Sequence, residues 1–264
     1  MAQPNVLILR APGTNCDAET AYAFELAGGT TERWHVNRIL EEPARLNKFQ
    51  VLCIAGGFSY GDDIAAGRIL GNQIQHHLSD TLSAFREAGK LIIGICNGFQ
   101  VLLKTNLLAQ GDAGGPTTTL TLNDSGKLEA RWVNLAIEPG NCVFLQGIRE
   151  MELPVAHGEG KLVARDDTVF SAMNSGGKLV MRYSTPPNST SPNGTAVSVP
   201  YPANPNGAMG DVAGICDDTG RVFGLMPHPE RFVDWTQHPR WTREPVREVG
   251  DGLRVFQNAV GYFS

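Results

Sequence analysis

The chain has 264 residues and a formal net charge of −5, so nothing in its charge balance points to nucleic acid or an anionic membrane surface. Hydrophobic residues make up 42% of it, enough for a sizeable core in one large domain, and no run of about 18 apolar residues is present to span a bilayer. Five widely spaced cysteines (16, 53, 96, 142 and 216), without a C-x-x-C pair, fit reduced thiols better than a disulfide framework or a zinc site. Met1 to Arg10 leads straight into a strand and lacks the basic start and long apolar stretch of a signal peptide. Together these predict a cytoplasmic protein with no bound metal.

Asn5-Val6-Leu7-Ile8-Leu9 reads as a first central strand. Residues Arg10 to Asp17 form a loop ending in a helix-capping residue, and Ala18 to Ala27 a helix closed by Gly28-Gly29. Thr31–Val36 and Val51–Ala55 are the next strands. This rhythm implies right-handed crossovers and a mainly parallel sheet, with chemistry gathered at the carboxyl ends of its strands. At one such end lies Gly56-Gly57-Phe58-Ser59-Tyr60-Gly61-Asp62-Asp63. Adjacent glycines let backbone N–H groups point inward, which suits an oxyanion hole, though on this stretch alone a plain glycine turn is the favoured reading. A helical stretch is predicted from Asp62 to about Gly89, with His76 and His77 as surface or core histidines, since no other ligand stands at metal spacing.

Leu91 to Ile95 reads as a buried parallel strand running into Gly94-Ile95-Cys96-Asn97-Gly98-Phe99-Gln100, and Asn97 to Leu103 as a helix. Cys96 has a glycine two residues away on each side, the cysteine form of the G-x-S-x-G nucleophile elbow. The turn is strained and brings backbone close, so the flanking positions exclude side chains. It holds the thiol out at the positive end of a helix, where the nucleophilic thiolate is favoured.

From Leu120 to Val199 short alternating stretches, such as Ala130–Asn134 and Leu179–Tyr183, predict added antiparallel or edge strands. Val155-Ala156-His157-Gly158-Glu159-Gly160 is a polar cluster among them. Residues 184–206 read as a long exposed loop within a single domain covering 1–264, and the two glycosylation-type patterns at Asn188 and Asn193 as ordinary loop sequence. Val212–Cys216 and Val222–Met226 are strands joined by a turn, followed at once by Pro227-His228-Pro229-Glu230-Arg231. On an extended segment His228 and Glu230 share a side, so both reach one pocket, and the prolines stiffen it. They are the base and the orienting carboxylate that a Cys96 thiolate needs. The extension at 232–264 carries Trp235, His238, Arg240, Trp241 and Arg243, then a predicted helix, and reads either as a segment packed over the sheet or as a protein-binding surface.

The elbow with Pro227–Arg231 resembles the class I (triad) glutamine amidotransferases, whose fold is flavodoxin-like α/β. Four further stretches narrow the resemblance to the glutamine amidotransferase subunits of phosphoribosylformylglycinamidine synthases: Pro12–Asp17, Gly56–Asp62, Ala156–Gly160 and Asn204-Pro205-Asn206-Gly207. The 184–202 loop and the tail after Arg231 look longer than that family's. The resemblance implies a Cys96–His228–Glu230 triad that releases ammonia from glutamine. Backbone at Gly57 and Asn97 would serve as oxyanion donors, while Gln100 and the His157, Gly158 and Glu159 backbone would hold substrate. It also implies a synthetase partner that uses ATP and magnesium to convert formylglycinamide ribonucleotide, a small third subunit, and no cofactor in this chain. Rival readings are a γ-glutamyl hydrolase or DJ-1-like protein on the same sheet, an amidotransferase serving another synthetase, and a catalytically silent regulatory subunit.

Overall fold

The computed structural model describes residues 3–113, 115–185 and 198–264. In order its elements are β1 (Asn5–Arg10), α1 (Asp17–Leu26), β2 (Thr30–His35), α2 (Val36–Glu41), β3 (Val51–Ile54), α3 (Arg68–Glu87), β4 (Leu91–Ile95), α4 (Asn97–Leu103), β5 (Thr118–Thr121), β6 (Glu129–Ile137), β7 (Glu150–His157), β8 (Lys161–Ala164), α5 (Asp167–Ser175), β9 (Met181–Ser184), β10 (Val212–Cys216), β11 (Val222–Leu225) and α6 (Leu253–Gly261).

Strands β3, β4, β10 and β11 are buried along their whole length, which is why their sequences are unbroken apolar runs and not alternating ones. They sit inside one sheet of order β2-β1-β3-β4-β11-β10-β9-β6-β7. The first four pairings, from β2 to β11, are parallel, and the remaining four are antiparallel. β5 and β8 form a separate antiparallel pair. The sheet is therefore the mixed α/β arrangement that the sequence predicts, with the antiparallel strands extending one side.

The chain steps from β1 outward to β2, then returns to β3 and steps the other way to β4. Right-handed crossovers in opposite directions put α1 and α3 on opposite faces. The reversal falls between β1 and β3, so the loops after these two strands border the crevice where α/β sheets bind ligands.

Several elements differ from the sequence reading. The helix expected from Asp62 starts six residues later, because Tyr60, Gly61 and Asp62 all take positive φ and turn the chain within a 3-10 segment. His76 and His77 are exposed on α3. Helix α5 lies where only strands were expected; Asp166 caps it by accepting from the Val169 N–H at 2.9 Å. Residues 186–197, including both glycosylation-type patterns, lie outside the described residues. The described end of that loop is not exposed throughout, since Asn204 and Asn206 are buried. The tail packs onto the sheet. Helix α6 buries Leu253, Val255, Phe256, Ala259 and Val260, and Phe256 meets Phe24 of α1 edge to face at 4.8 Å. Trp235 stacks on His238 at 5.3 Å beside Phe232 and Trp132.

Phe256→Ala should therefore destabilise the protein by about 3–5 kcal/mol, because it empties a site shared by two helices. Urea unfolding measures this, and a loss below about 1 kcal/mol would show that the tail is not part of the core.

Candidate active site

Parallel register brings the site together. Ile95 at the end of β4 stands opposite Leu225 at the end of β11, and Gly94 opposite Ile54 at the end of β3. Three neighbouring strand ends thus deliver Cys96, the 227–231 segment and the Gly56-Gly57 loop to one edge of the sheet. Cys96 has φ 52° and ψ −107°, a strained conformation for a non-glycine residue. The Cys96 N–H donates to Leu225 O at 2.8 Å, and Phe99 and Gln100 N–H close back on Cys96 O at 3.0 and 3.1 Å. The flanking glycines are required by contact: a Cβ on Gly98 would collide with Ile54 O, and one on Gly94 with Gly98 O.

His228 and Glu230 meet, but not as the sequence reading supposed. Pro229–Arg231 is a 3-10 turn and not an extended segment, and the turn folds the carboxylate onto the ring. His228 Nδ1 to Glu230 Oε1 is 2.6 Å, with both residues fully buried. Burial by itself pushes the imidazole down, but the Glu230 carboxylate, then Cys96, push it up, and the net direction is well above an ordinary histidine. The His228 backbone N–H donates to Pro154 O at 2.9 Å, which ties this residue to β7.

Gly57 pairs with Thr14 in an isolated antiparallel bridge, flanked by Asn15 N–H to Gly56 O at 3.3 Å and Phe58 N–H to Gly13 O at 2.9 Å. In such a pair the central residues turn their own N–H groups away from each other. The Gly57 N–H is thus directed off the 13–15 segment. Gly57 has φ 140°, and a Cβ there would lie 2.7 Å from both Asn15 N and Gly13 O, so no other residue fits. Asn97 opens α4, where an N–H has no partner within the helix. Its side chain accepts from Ser59 N–H at 3.2 Å and donates to Asp62 at 3.1 Å and to Gln100 at 3.0 Å, pinning the 56–62 loop to the elbow.

Gly57, Cys96, Gln100, His157, Gly158 and Glu159 line one cavity of about 160 Å³. Larger grooves elsewhere on the surface do not contain the thiol. Gln100 Nε2 donates to Glu159 O at 2.5 Å, and Glu159 Oε2 accepts from Ala66 N–H at 3.3 Å, so these two side chains build the cavity wall. His157 is buried with Nδ1 3.1 Å from Asn123 Oδ1. Burial, then the nearby His228 charge, push its ring down to about 4, so it stays neutral at pH 7.

The chain matches the CobB/CobQ-like glutamine amidotransferase domain family over residues 3–263. It is 52% identical over 261 residues to the phosphoribosylformylglycinamidine synthase subunit PurQ of Dehalococcoides mccartyi, covering 98% of each chain. It is 38% identical to the PurQ subunit of Methanococcus maripaludis strain S2, over 99% of this chain and 98% of the relative. The chain belongs to this family, as a PurQ-type glutamine amidotransferase. A chain of the solved structure of PurLQS from Thermotoga maritima superposes with a TM-score of 0.74 at 29% identity, over the whole of both chains. A glutamine amidotransferase of the same organism shares the fold alone, with a TM-score of 0.51 at 16% identity.

Three residues of this amidotransferase's site escaped the sequence reading. Asn123 organises the 157–160 segment: its side chain donates to His157 O at 2.7 Å and accepts from Gly160 N–H at 3.1 Å, and its N–H donates to Gly158 O at 2.9 Å. Asn206 fixes the same segment from the far side, donating to Gly160 O at 2.8 Å and meeting the Tyr183 hydroxyl at 3.0 Å. The only sequence signal for the second was the Asn204-Pro205-Asn206-Gly207 stretch. Cys16 is the other omission. Cys16, His228 and Glu230 place potential metal-ligand atoms within 4.8 Å of one another, all buried. His228 Nδ1 and Glu230 already bond each other, so the Cys16 thiol stands beside a closed imidazole–carboxylate pair.

An unfolded histidine titrates near about 6.5, and His228 lies above that when folded. Its charge therefore stabilises the fold fully below about pH 6.5, and this contribution is lost as pH rises through the folded value. Glu230→Gln removes the carboxylate that holds the charge, so it should cost about 3 kcal/mol near pH 6 and progressively less at alkaline pH. Urea unfolding across pH 6–10 checks this; a cost independent of pH would sink it.

Proposed function

We propose that this chain is the glutaminase subunit of a phosphoribosylformylglycinamidine synthase. In this reading Cys96 attacks the side-chain amide carbon of glutamine, and the Gly57 and Asn97 N–H groups receive the developing oxyanion. The charged His228 protonates the departing ammonia. It then takes a proton from water, which releases glutamate from the Cys96 thioester. Glu230 holds the ring's tautomer and its charge. Gln100 and the His157–Glu159 backbone form the wall against which the glutamine backbone lies. The observation that carries the reading is the strained Cys96 thiol and the His228–Glu230 pair on adjacent strand ends, in a chain collinear with PurQ subunits over its length.

Ammonia released here serves a separate synthetase subunit, which binds ATP and magnesium and acts on formylglycinamide ribonucleotide. A small third subunit completes the assembly. The cavity mouth supports a partner surface: Phe58, Leu122 and Leu128 line the cavity, yet are 48%, 62% and 57% exposed. Such an apolar rim around a polar site suits a subunit docked over it. Among the described residues no helix is long and apolar enough to cross a membrane.

Cys96→Ala in the assembled complex should abolish glutamine-dependent amidation, a loss of at least about a thousandfold, and leave ammonium-dependent amidation intact. Gly57→Ala should cost about a hundredfold in glutamine hydrolysis by displacing one oxyanion donor. Product formation with each nitrogen source reads both. Glutamine-dependent turnover by Cys96→Ala would refute the reading, and retained activity in Gly57→Ala would remove Gly57 from the oxyanion site.

A further inference from the structure

The Cys16 thiol takes no part in the steps above, yet it is 1% exposed and lies at the heart of the site's support. Its Sγ accepts from Arg231 Nη2 at 3.2 Å and donates to Asn15 Oδ1 at 3.2 Å. It lies beside His228: a Cβ on Gly56 would stand 3.1 Å from both Cys16 Sγ and His228 Cε1. Gly56 is bare, and the thiol and the imidazole share that space. The backbone of Cys16 faces the other half of the site, since its N–H donates to Gly56 O at 3.2 Å, next to the Asn15 bond to the same oxygen. Arg231, which immediately follows Glu230, is anchored in turn to Glu19 of α1 at 2.7 Å.

One residue therefore touches both parts that must be held in register. Its N–H fixes the carbonyl before Gly57, and its sulfur meets His228 and the guanidinium that follows Glu230. We propose that Cys16 is a positioning residue which locks the His228 imidazole and the Gly57 N–H into one relative geometry, an inference that rests on the nucleophile, base and oxyanion roles given above. A thiol suits the place. Burial, with Glu230 opposing ionisation too, keeps it protonated despite His228 and Arg231 nearby, so it adds no second negative charge to compete with Cys96 for the ring. Cys16 is not among the residues that line the Cys96 cavity, which separates it from a second nucleophile.

The test uses the assembled synthase and reads kcat, KM and the pH–rate profile for glutamine hydrolysis, with the melting temperature of each variant. Cys16→Ala should lower kcat by about ten- to a hundredfold, as for a misplaced catalytic group, with KM within about twofold. Its pH–rate profile should shift, because a loosened ring no longer holds its bond to Glu230. Cys16→Ser, which keeps a hydrogen-bonding group toward Arg231, should recover most of the lost kcat and the original profile. If Cys16→Ala fails to fold, Cys16→Val, which fills the space without a polar atom, takes its place with the same expectation. Wild-type kcat and profile in the alanine or valine variant overturn the proposal. So does a loss that follows the fraction folded with the profile unmoved, since that marks packing alone. The Cys96→Ala control separates the two readings: if wild-type hydrolysis does not depend on Cys96, the triad reading fails whatever Cys16 does.

Discussion

The site depends on the parallel pairing of β3, β4 and β11. These strands meet in a register that sets Ile54, Gly94–Ile95 and Leu225 side by side, so three chain segments far apart in sequence leave the sheet at the same edge. The elbow is stable only inside this frame. A positive φ at a non-glycine residue costs about 1–3 kcal/mol. Here it is held by the Cys96 N–H bond to Leu225 O and by the close approach of Gly98 to Ile54. The same contacts that tolerate the strain also fix the thiol relative to the His228 ring, since Leu225 leads three residues later to His228.

Electrostatics within this frame are set by burial as much as by charge. Two buried histidines flank the thiol and are driven in opposite directions. His228 has a carboxylate at 2.6 Å and stays charged, whereas at His157 burial and the repulsion of His228 outweigh the more distant Glu129 carboxylate, and the ring stays neutral. The charge on His228 discourages a second one next to it, and the neutral ring can therefore pack against the 158–160 backbone. Histidine lines this site twice, and the neighbours of each ring decide which one carries charge at neutral pH.

Around this centre, buried amides hold backbone that has no regular secondary structure. Asn97, Asn123 and Asn206 each bond more than one segment, and between them they fix the 56–62 loop and the 157–160 turn. Loops that carry function need such support, because their peptide groups lack a ladder partner. The cost of losing one of these amides is therefore an unsatisfied peptide N–H or carbonyl as well as a displaced loop.

The sequence by itself determined the local events. Buried strands showed as apolar runs, the strained turn as Gly94, Cys96 and Gly98, and the imidazole–carboxylate pair as His228 and Glu230 after a strand, because each is a short-range demand of backbone sterics or of chemistry. It also named the 56–62 glycines. The tertiary structure decided what meets what. The packing of the 232–264 tail on α1, the burial of Asn204 and Asn206, and the convergence of Cys16 with His228 are contacts between distant segments, some more than two hundred residues apart. Such contacts leave little trace in local pattern. A buried asparagine or cysteine has the same letter wherever it lies, and only the register and the crossovers choose its partners.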